Sequence, residues 1–174
     1  MSTRQMTLTA MLTALLCILG PVTLPVGAVP VSMITAALML IALLLGPGRA
    51  CLCCGVYLGI GLLGVPVFSG FSGGLGALLG PTGGFLLGYL PMTALCGFSA
   101  RTSSRLRQLT AFAAGNLLLY LSGTTWYVVQ AGTEFLPALG VCVLPFLPGD
   151  VLKLAAVLTG GNAVRTRLKR AGIW

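Results

Sequence analysis

The sequence predicts an all-α integral membrane protein of six transmembrane helices, a single membrane domain over residues 1–174 with both termini cytoplasmic. Three observations lead there. Hydrophobic residues make up 57% of the chain and charged residues only 7%, where a soluble domain carries about 25% charged residues. Too little polar surface remains to cover a water-soluble globule, so lipid is the solvent. The apolar residues also fall into blocks near the roughly 20 residues that one spanning helix needs. Finally, every Lys and Arg except Lys153 falls on one side of the layout these blocks define.

The first block covers residues 6–19 and stops at Gly20-Pro21. With Arg4 ahead of it and Val26-Gly27-Ala28 behind, it also fits a cleaved signal peptide, and charge alone does not separate the two readings. Pro21, Pro25 and Pro30 then break the chain too often for a helix. A second span is expected over 31–45, closed by Gly46-Pro47-Gly48-Arg49, and a third over 50–65, with Gly55 and Gly59 inside it. Residues 66–81 are rich in Gly and Ser, carry no charge and read as loop. The fourth and fifth spans are expected over 82–100 and 109–131, and Glu134 marks the next turn. The last apolar region, 135–163, is interrupted at Pro145 and at Pro148-Gly149. Proline suits the first position of a helix and acids its first turn, so a fresh helix is expected near Pro148 with Asp150 in its opening turn. The segment before it reads as a short helix or re-entrant piece.

With the N-terminus inside, the inner segments hold Arg4, Arg49, the cluster Arg101, Arg105 and Arg107, and the tail Arg165, Arg167, Lys169 and Arg170. The outer segments hold no Lys or Arg and only Glu134. This is the asymmetry of the positive-inside rule. The formal net charge of +8 therefore reads as cytoplasmic flanks of membrane helices; without aromatic residues between the basic ones, it does not point to nucleic acid.

Asp150 and Lys153 are the charges that topology does not explain. A charge near the centre of a spanning helix costs about 2.5–3.5 kcal/mol on insertion scales. Spaced i, i+3, the two lie on one helix face and can meet each other or a common ligand. One reading is a self-neutralising pair that locks helix packing. The other is a ligand site: a carboxylate accepts N–H bonds and an ammonium binds a carboxylate, which suits a zwitterion-like or amide-plus-acid solute.

The remaining motifs are weaker. The run from Gly70 to Gly76 lacks the Lys-Ser/Thr ending of a phosphate loop and lies on the outer side. Gly76-xxx-Gly80 and Gly84-xxx-Gly88 fit close helix approach, or glycines that bring backbone groups up to a ligand. Ala10-xxx-Ala14 fits internal packing or a docking surface for another membrane protein. The six cysteines lie in apolar stretches and, without any histidine in the chain, read as packed thiols rather than metal ligands. No Ser/His dyad or acidic cluster supports catalysis, and no cofactor site is expected.

Three segments, YLGIGLLGVPVF (57–68), GPTGGFLLGY (80–89) and LPGDVLK (147–153), together resemble the biotin-specific substrate-binding (S) components, the BioY family, of energy-coupling-factor transporters. The match in spacing extends over nearly the whole chain. The resemblance implies a six-helix S-component fold in the bacterial cytoplasmic membrane, with biotin held near the outer face, partly under the loop joining the first two helices. It implies no ATPase site of its own: a transmembrane coupling protein and two ATPase subunits drive transport. By motif, Asp150 and Lys153 correspond to the polar residues that hold biotin, one at the ureido ring and the other nearby, at the carboxylate. The stretch from Phe68 to Gly74, with Gly70, Ser72 and Gly73, and the stretch Thr82, Gly83 and Phe85 with Tyr89 would line the pocket. Ala10 and Ala14 match the family's small-residue surface for the coupling protein, which argues that the first span is retained. From polarity alone, Asn116 and Tyr120, one turn apart in the fifth span, are added as hydrogen-bonding candidates.

One departure stands out. The family often carries a glutamine shortly after the proline of the first loop, where this chain reads Pro30-Val31-Ser32-Met33-Ile34. One expected polar contact is missing, which leaves room for a relative of biotin or another vitamin as substrate. A non-transporting membrane scaffold with a structural Asp–Lys pair is the competing class. The oligomeric state of the isolated subunit, homo-oligomer included, is open.

Overall fold

The computed structural model describes residues 3–24 and 31–170, so Pro25 and Pro30 lie outside the described residues. Helix α1 (Thr3–Leu19) leads into a two-residue ladder, β1 (Thr23–Leu24) and β2 (Val31–Ser32), paired antiparallel with Thr23 opposite Ser32. The ladder closes the proline-broken connection and delivers the chain to α2 (Ile34–Leu45). A sharp turn at Gly46, φ +76°, reverses it into α3 (Pro47–Leu62), with proline in the opening turn. After the outer loop come the five-residue α4 (Leu75–Leu79), then α5 (Gly83–Gly97) and the long α6 (Arg105–Ala131). Helix α7 (Phe135–Cys142) is short, and α8 (Leu147–Ala156) starts afresh with Pro148 in its opening turn and runs through a π-helical turn (Val157–Gly161) into α9 (Asn162–Arg170). The bend between α7 and the α8–α9 helix is 48°, as Pro145 and Pro148 require.

The expected spans therefore appear as α1, α2, α3, α5, α6 and α8–α9, with ends shifted by a few residues. Two expectations need correcting. Residues 66–81 are not all loop, because they contain α4. Nor do Gly76 and Gly80 bring helices together: α4 ends before Gly80, and a Cβ on Gly76 would meet nothing within 4 Å. Gly84 and Gly88 do serve close approach, since side chains there would run into Trp126 and Ser122 of α6.

Helix α2 has only 12 residues, and ten of them are buried. Hydrophobic all round, it is the central strut against which α1, α3, α5 and α8 pack. The apolar residues left outside lie on the surrounding helices, among them Met11 and Ile18 on α1, Leu117 and Val129 on α6 and Leu152 on α8, each at least 60% exposed. An apolar exterior around an apolar core is the mark of a protein solvated by lipid. Helix α1 belongs to this bundle: Leu16 is fully buried, and the Cys53 thiol of α3 donates to the Thr9 carbonyl. At one end, the α2–α3 turn, the α5–α6 connection and α9 meet, tied by Arg165, whose guanidinium donates to the carbonyls of Thr102 and Ala100. The π turn leaves the Leu158 carbonyl to be met by Arg105 and Asn162 side chains, and Asn162 also pairs with the Gln108 amide.

Candidate functional site

Helix α8 begins at the other end of the bundle, with Asp150 of the buried pair in its opening turn and Lys153 one turn further on. Asp150, whose own N–H is taken by the Phe146 carbonyl at 2.8 Å, points a carboxylate that is 6% exposed as a residue toward Lys153, 8% exposed. Lys153 Nζ lies 2.9 Å from Asp150 Oδ1, 2.8 Å from the Ser32 carbonyl oxygen and 3.1 Å from Thr35 Oγ1. An ammonium has three N–H donors, so all three are engaged within the protein. The Tyr120 hydroxyl donates to the other carboxylate oxygen, Asp150 Oδ2. Each oxygen of Asp150 thus accepts one bond and, as a carboxylate oxygen, retains capacity for another.

These groups form the floor of a narrow, largely enclosed pocket with a cavity volume of about 40 Å³. Its walls are aromatic. Phe68 is held by the glycine at position 61, which lies flat against its ring, and by an edge-on contact with Tyr57, centroids 5.7 Å apart. The Tyr57 hydroxyl donates to the Val67 carbonyl at 3.0 Å and locks the turn that presents Phe68. Phe85 stacks on Phe146, centroids 6.2 Å apart, with Gly123 of α6 beneath it. Tyr89, Leu86 and Leu119 complete the apolar surface. Ser69, Thr82 and Tyr89 add hydroxyls that make no hydrogen bond with the described residues, in contrast to the committed Lys153.

The structure brings Asp150, Lys153, Phe68, Thr82, Phe85, Tyr89 and Tyr120 together around this space, but not the other candidates. After Ser69 the chain turns away: Gly70 has φ +69° and Phe71 φ +58°, and Phe71 is 73% exposed. Ser72 bonds back to the Ser69 carbonyl, and Gly73 packs on the Val65 carbonyl, so Gly70, Ser72 and Gly73 support the turn rather than line the pocket. Gly83 is buried between Leu78 and Trp126. Asn116 does not line the pocket but a second groove between α6 and α7–α8, shared with Tyr120 and Asp150, where its buried Oδ1 has no partner among the described residues. Ser69, from the expected stretch, does line the pocket, while Ser32, Thr35, Leu86, Leu119 and Phe146 join the wall without having been expected there. Ser32 comes from the stretch that lacks the glutamine, and Lys153 reaches across to its carbonyl and to the Thr35 hydroxyl just beyond it. Ala10 and Ala14 are exposed along an apolar groove between α1 and α3, beside Thr13, Leu52 and Val56, not buried in the bundle.

The BioY family profile matches residues 1–170. The chain belongs to the BioY family. Among BioY relatives, a biotin transporter of Lactococcus lactis subsp. cremoris is 33% identical over 163 residues, covering 92% of this chain and 89% of its own. A biotin transporter of Rhizobium etli is 33% identical over 177 residues, covering 94% of each. The fold agrees with the BioY reading: the crystal structure of an S component for biotin from an energy-coupling-factor-type ABC transporter superposes with a TM-score of 0.87 at 27% identity, covering 95% of both chains. This BioY chain is thus an all-α membrane transport protein of S-component fold.

Proposed function

We propose that the chain is the biotin-binding, substrate-capturing subunit of a vitamin uptake transporter in the bacterial cytoplasmic membrane. The observation that carries the reading is the buried Asp150 carboxylate on the floor of an aromatic pocket. It has acceptor capacity to spare, in a chain of the BioY family. Biotin carries a cyclic urea with N–H donors beside a carbonyl, an apolar sulfur ring and a carboxylate tail. Asp150 would accept a ureido N–H, the Tyr89 hydroxyl would donate to the ureido carbonyl, and Phe68, Phe85 and Phe146 would enclose the rings. Ser69 and Thr82 offer donors for the carboxylate. Lys153, with its three donors already engaged, would act by holding Asp150 in place and oriented rather than by reaching the ligand.

Both termini are assigned to the cytoplasm because the basic residues gather at the end of the bundle away from the pocket. The chain has no nucleotide-binding motif, so a transmembrane coupling protein and two ATPase subunits would supply the energy, with Ala10 and Ala14 in the α1–α3 groove as the docking surface. A competition assay on the purified protein tests the substrate. Labelled biotin should be displaced by biotin and more weakly by dethiobiotin, with no effect of riboflavin. Displacement by riboflavin as readily as by biotin would assign the pocket to another vitamin.

A further inference from the structure

The end of the bundle opposite the pocket is strongly basic. Nine of its ten Lys and Arg residues, all but Lys153, flank the helix ends there, while the chain's two acids are Glu134 and Asp150. Asp150 is paired with Lys153, and Glu134 caps α7 beyond the far end of α6. Helix α6 alone, 27 residues from Arg105 to Ala131, separates that cap from the basic end by about 40 Å, well past the screening length of about 8 Å. Neither acidic side chain, Asp150 or Glu134, therefore neutralises the cluster.

Within the cluster one place is shaped to take a counter-ion. The α2–α3 turn, the α5–α6 connection and α9 line an open cleft of about 370 Å³. Its apolar side is Leu44, Leu45, Pro47 and Ala100, and its charged side is Arg101 and Arg165. Arg165 is half-buried and fixed by the carbonyls of Ala100 and Thr102, which leaves N–H groups of its five-donor fork for another acceptor. Arg101 lies over the Phe98 ring, its guanidinium carbon 5.0 Å from the centroid. Two positioned guanidiniums beside an apolar wall match an amphiphile: phosphate oxygens at the arginines, glycerol and upper acyl carbons on the leucines. A free phosphate would use only half of this surface.

We propose that this cleft binds the headgroup of an anionic phospholipid, of the phosphatidylglycerol type, from the leaflet at the basic end. The ligand is held by Arg101 and Arg165 and serves as a counter-ion that neither acidic side chain supplies there.

The experiment compares phospholipid retention by native mass spectrometry after delipidation. Protein is re-exposed to phosphatidylglycerol, to phosphatidylcholine, or to inorganic phosphate at equal concentration. Phosphatidylglycerol should be retained in preference to phosphatidylcholine, and inorganic phosphate should not displace it. Arg101→Gln should lower phosphatidylglycerol retention about fivefold, the effect of one basic residue near a membrane surface. Arg167→Gln, an exposed charge of α9 outside the cleft, should leave it unchanged. Equal retention of both lipids, displacement by phosphate, or equal losses in the two variants would overturn the proposal, the last by showing diffuse attraction without a site. Biotin titration of the same samples keeps this outcome separate from the pocket's, because neither arginine touches the pocket.

Discussion

Lys153 on α8 donates to the main-chain carbonyl of Ser32, 121 residues earlier, at 2.8 Å. The bond ties the pocket's charged floor to the connection between α1 and α2, and with the bonds to Thr35 and Asp150 it leaves the ammonium no free donor. The pair thus divides its work: Asp150 faces the pocket with acceptor capacity left, and Lys153 holds it in place.

Removing the ammonium should therefore damage folding as well as binding. In Lys153→Ala a buried carboxylate loses its counter-charge, a loss of about 3–5 kcal/mol, read as a lowered thermal midpoint in detergent together with weaker biotin binding. Joining Asp150→Asn to Lys153→Met removes both charges and should recover much of the stability while binding stays lost. Recovery of binding along with stability would mean that the pair is only structural.

Tyr120 orients the second carboxylate oxygen. Tyr120→Phe should keep the fold and weaken biotin binding about tenfold, the scale of a hydrogen bond to a charged group. Tyr89→Phe, which removes an uncommitted hydroxyl, should cost less, about threefold to tenfold. Calorimetric titration of each variant measures both.

A substitution outside the wall tests the aromatic packing. Gly123 lies against the Phe85 ring, and a methyl group there would have to displace it. Gly123→Ala should cost about 1–3 kcal/mol by overpacking and weaken binding as Phe85 shifts from its stack on Phe146. Gly55→Ala, where an added Cβ meets nothing within 4 Å, should be silent in both measurements.

The α1–α3 groove calls for the opposite pattern. Ala10→Leu and Ala14→Leu should leave biotin binding intact but reduce co-purification of the coupling protein and ATPase subunits. Loss of binding with assembly intact would contradict the assignment of this face.

Much of this was legible in the sequence because its signals are local. Asp150 and Lys153 stood out by their cost in lipid, Pro148 announced the start of α8, and Gly84-xxx-Gly88 proved to be a true close approach. What was not legible depended on distant contacts. Nothing in the spacing of Ser32 and Thr35 says that a lysine of the last helix reaches them, since they meet through packing around α2. The turn at Gly70 and Phe71, both at positive φ, sends the glycine-rich loop away after Ser69, so Gly70, Ser72 and Gly73, assigned to the pocket by the family resemblance, do not line it here. Gly76 and Gly80 had a helix-packing spacing but only a five-residue helix to carry it. Asn116 shares a helix face with Tyr120, yet it lines only the groove between α6 and α8, behind Tyr120 and Asp150, which face both that groove and the pocket.

The central claim, that Asp150 is the pocket's acceptor for biotin, meets its most direct test in an equilibrium titration of the purified parent and Asp150→Asn under identical conditions. The parent should bind saturably with a Kd below about 1 μM, and Asp150→Asn at least about tenfold more weakly. A parent that fails to saturate, or an Asp150→Asn variant that binds biotin like the parent, would contradict the account.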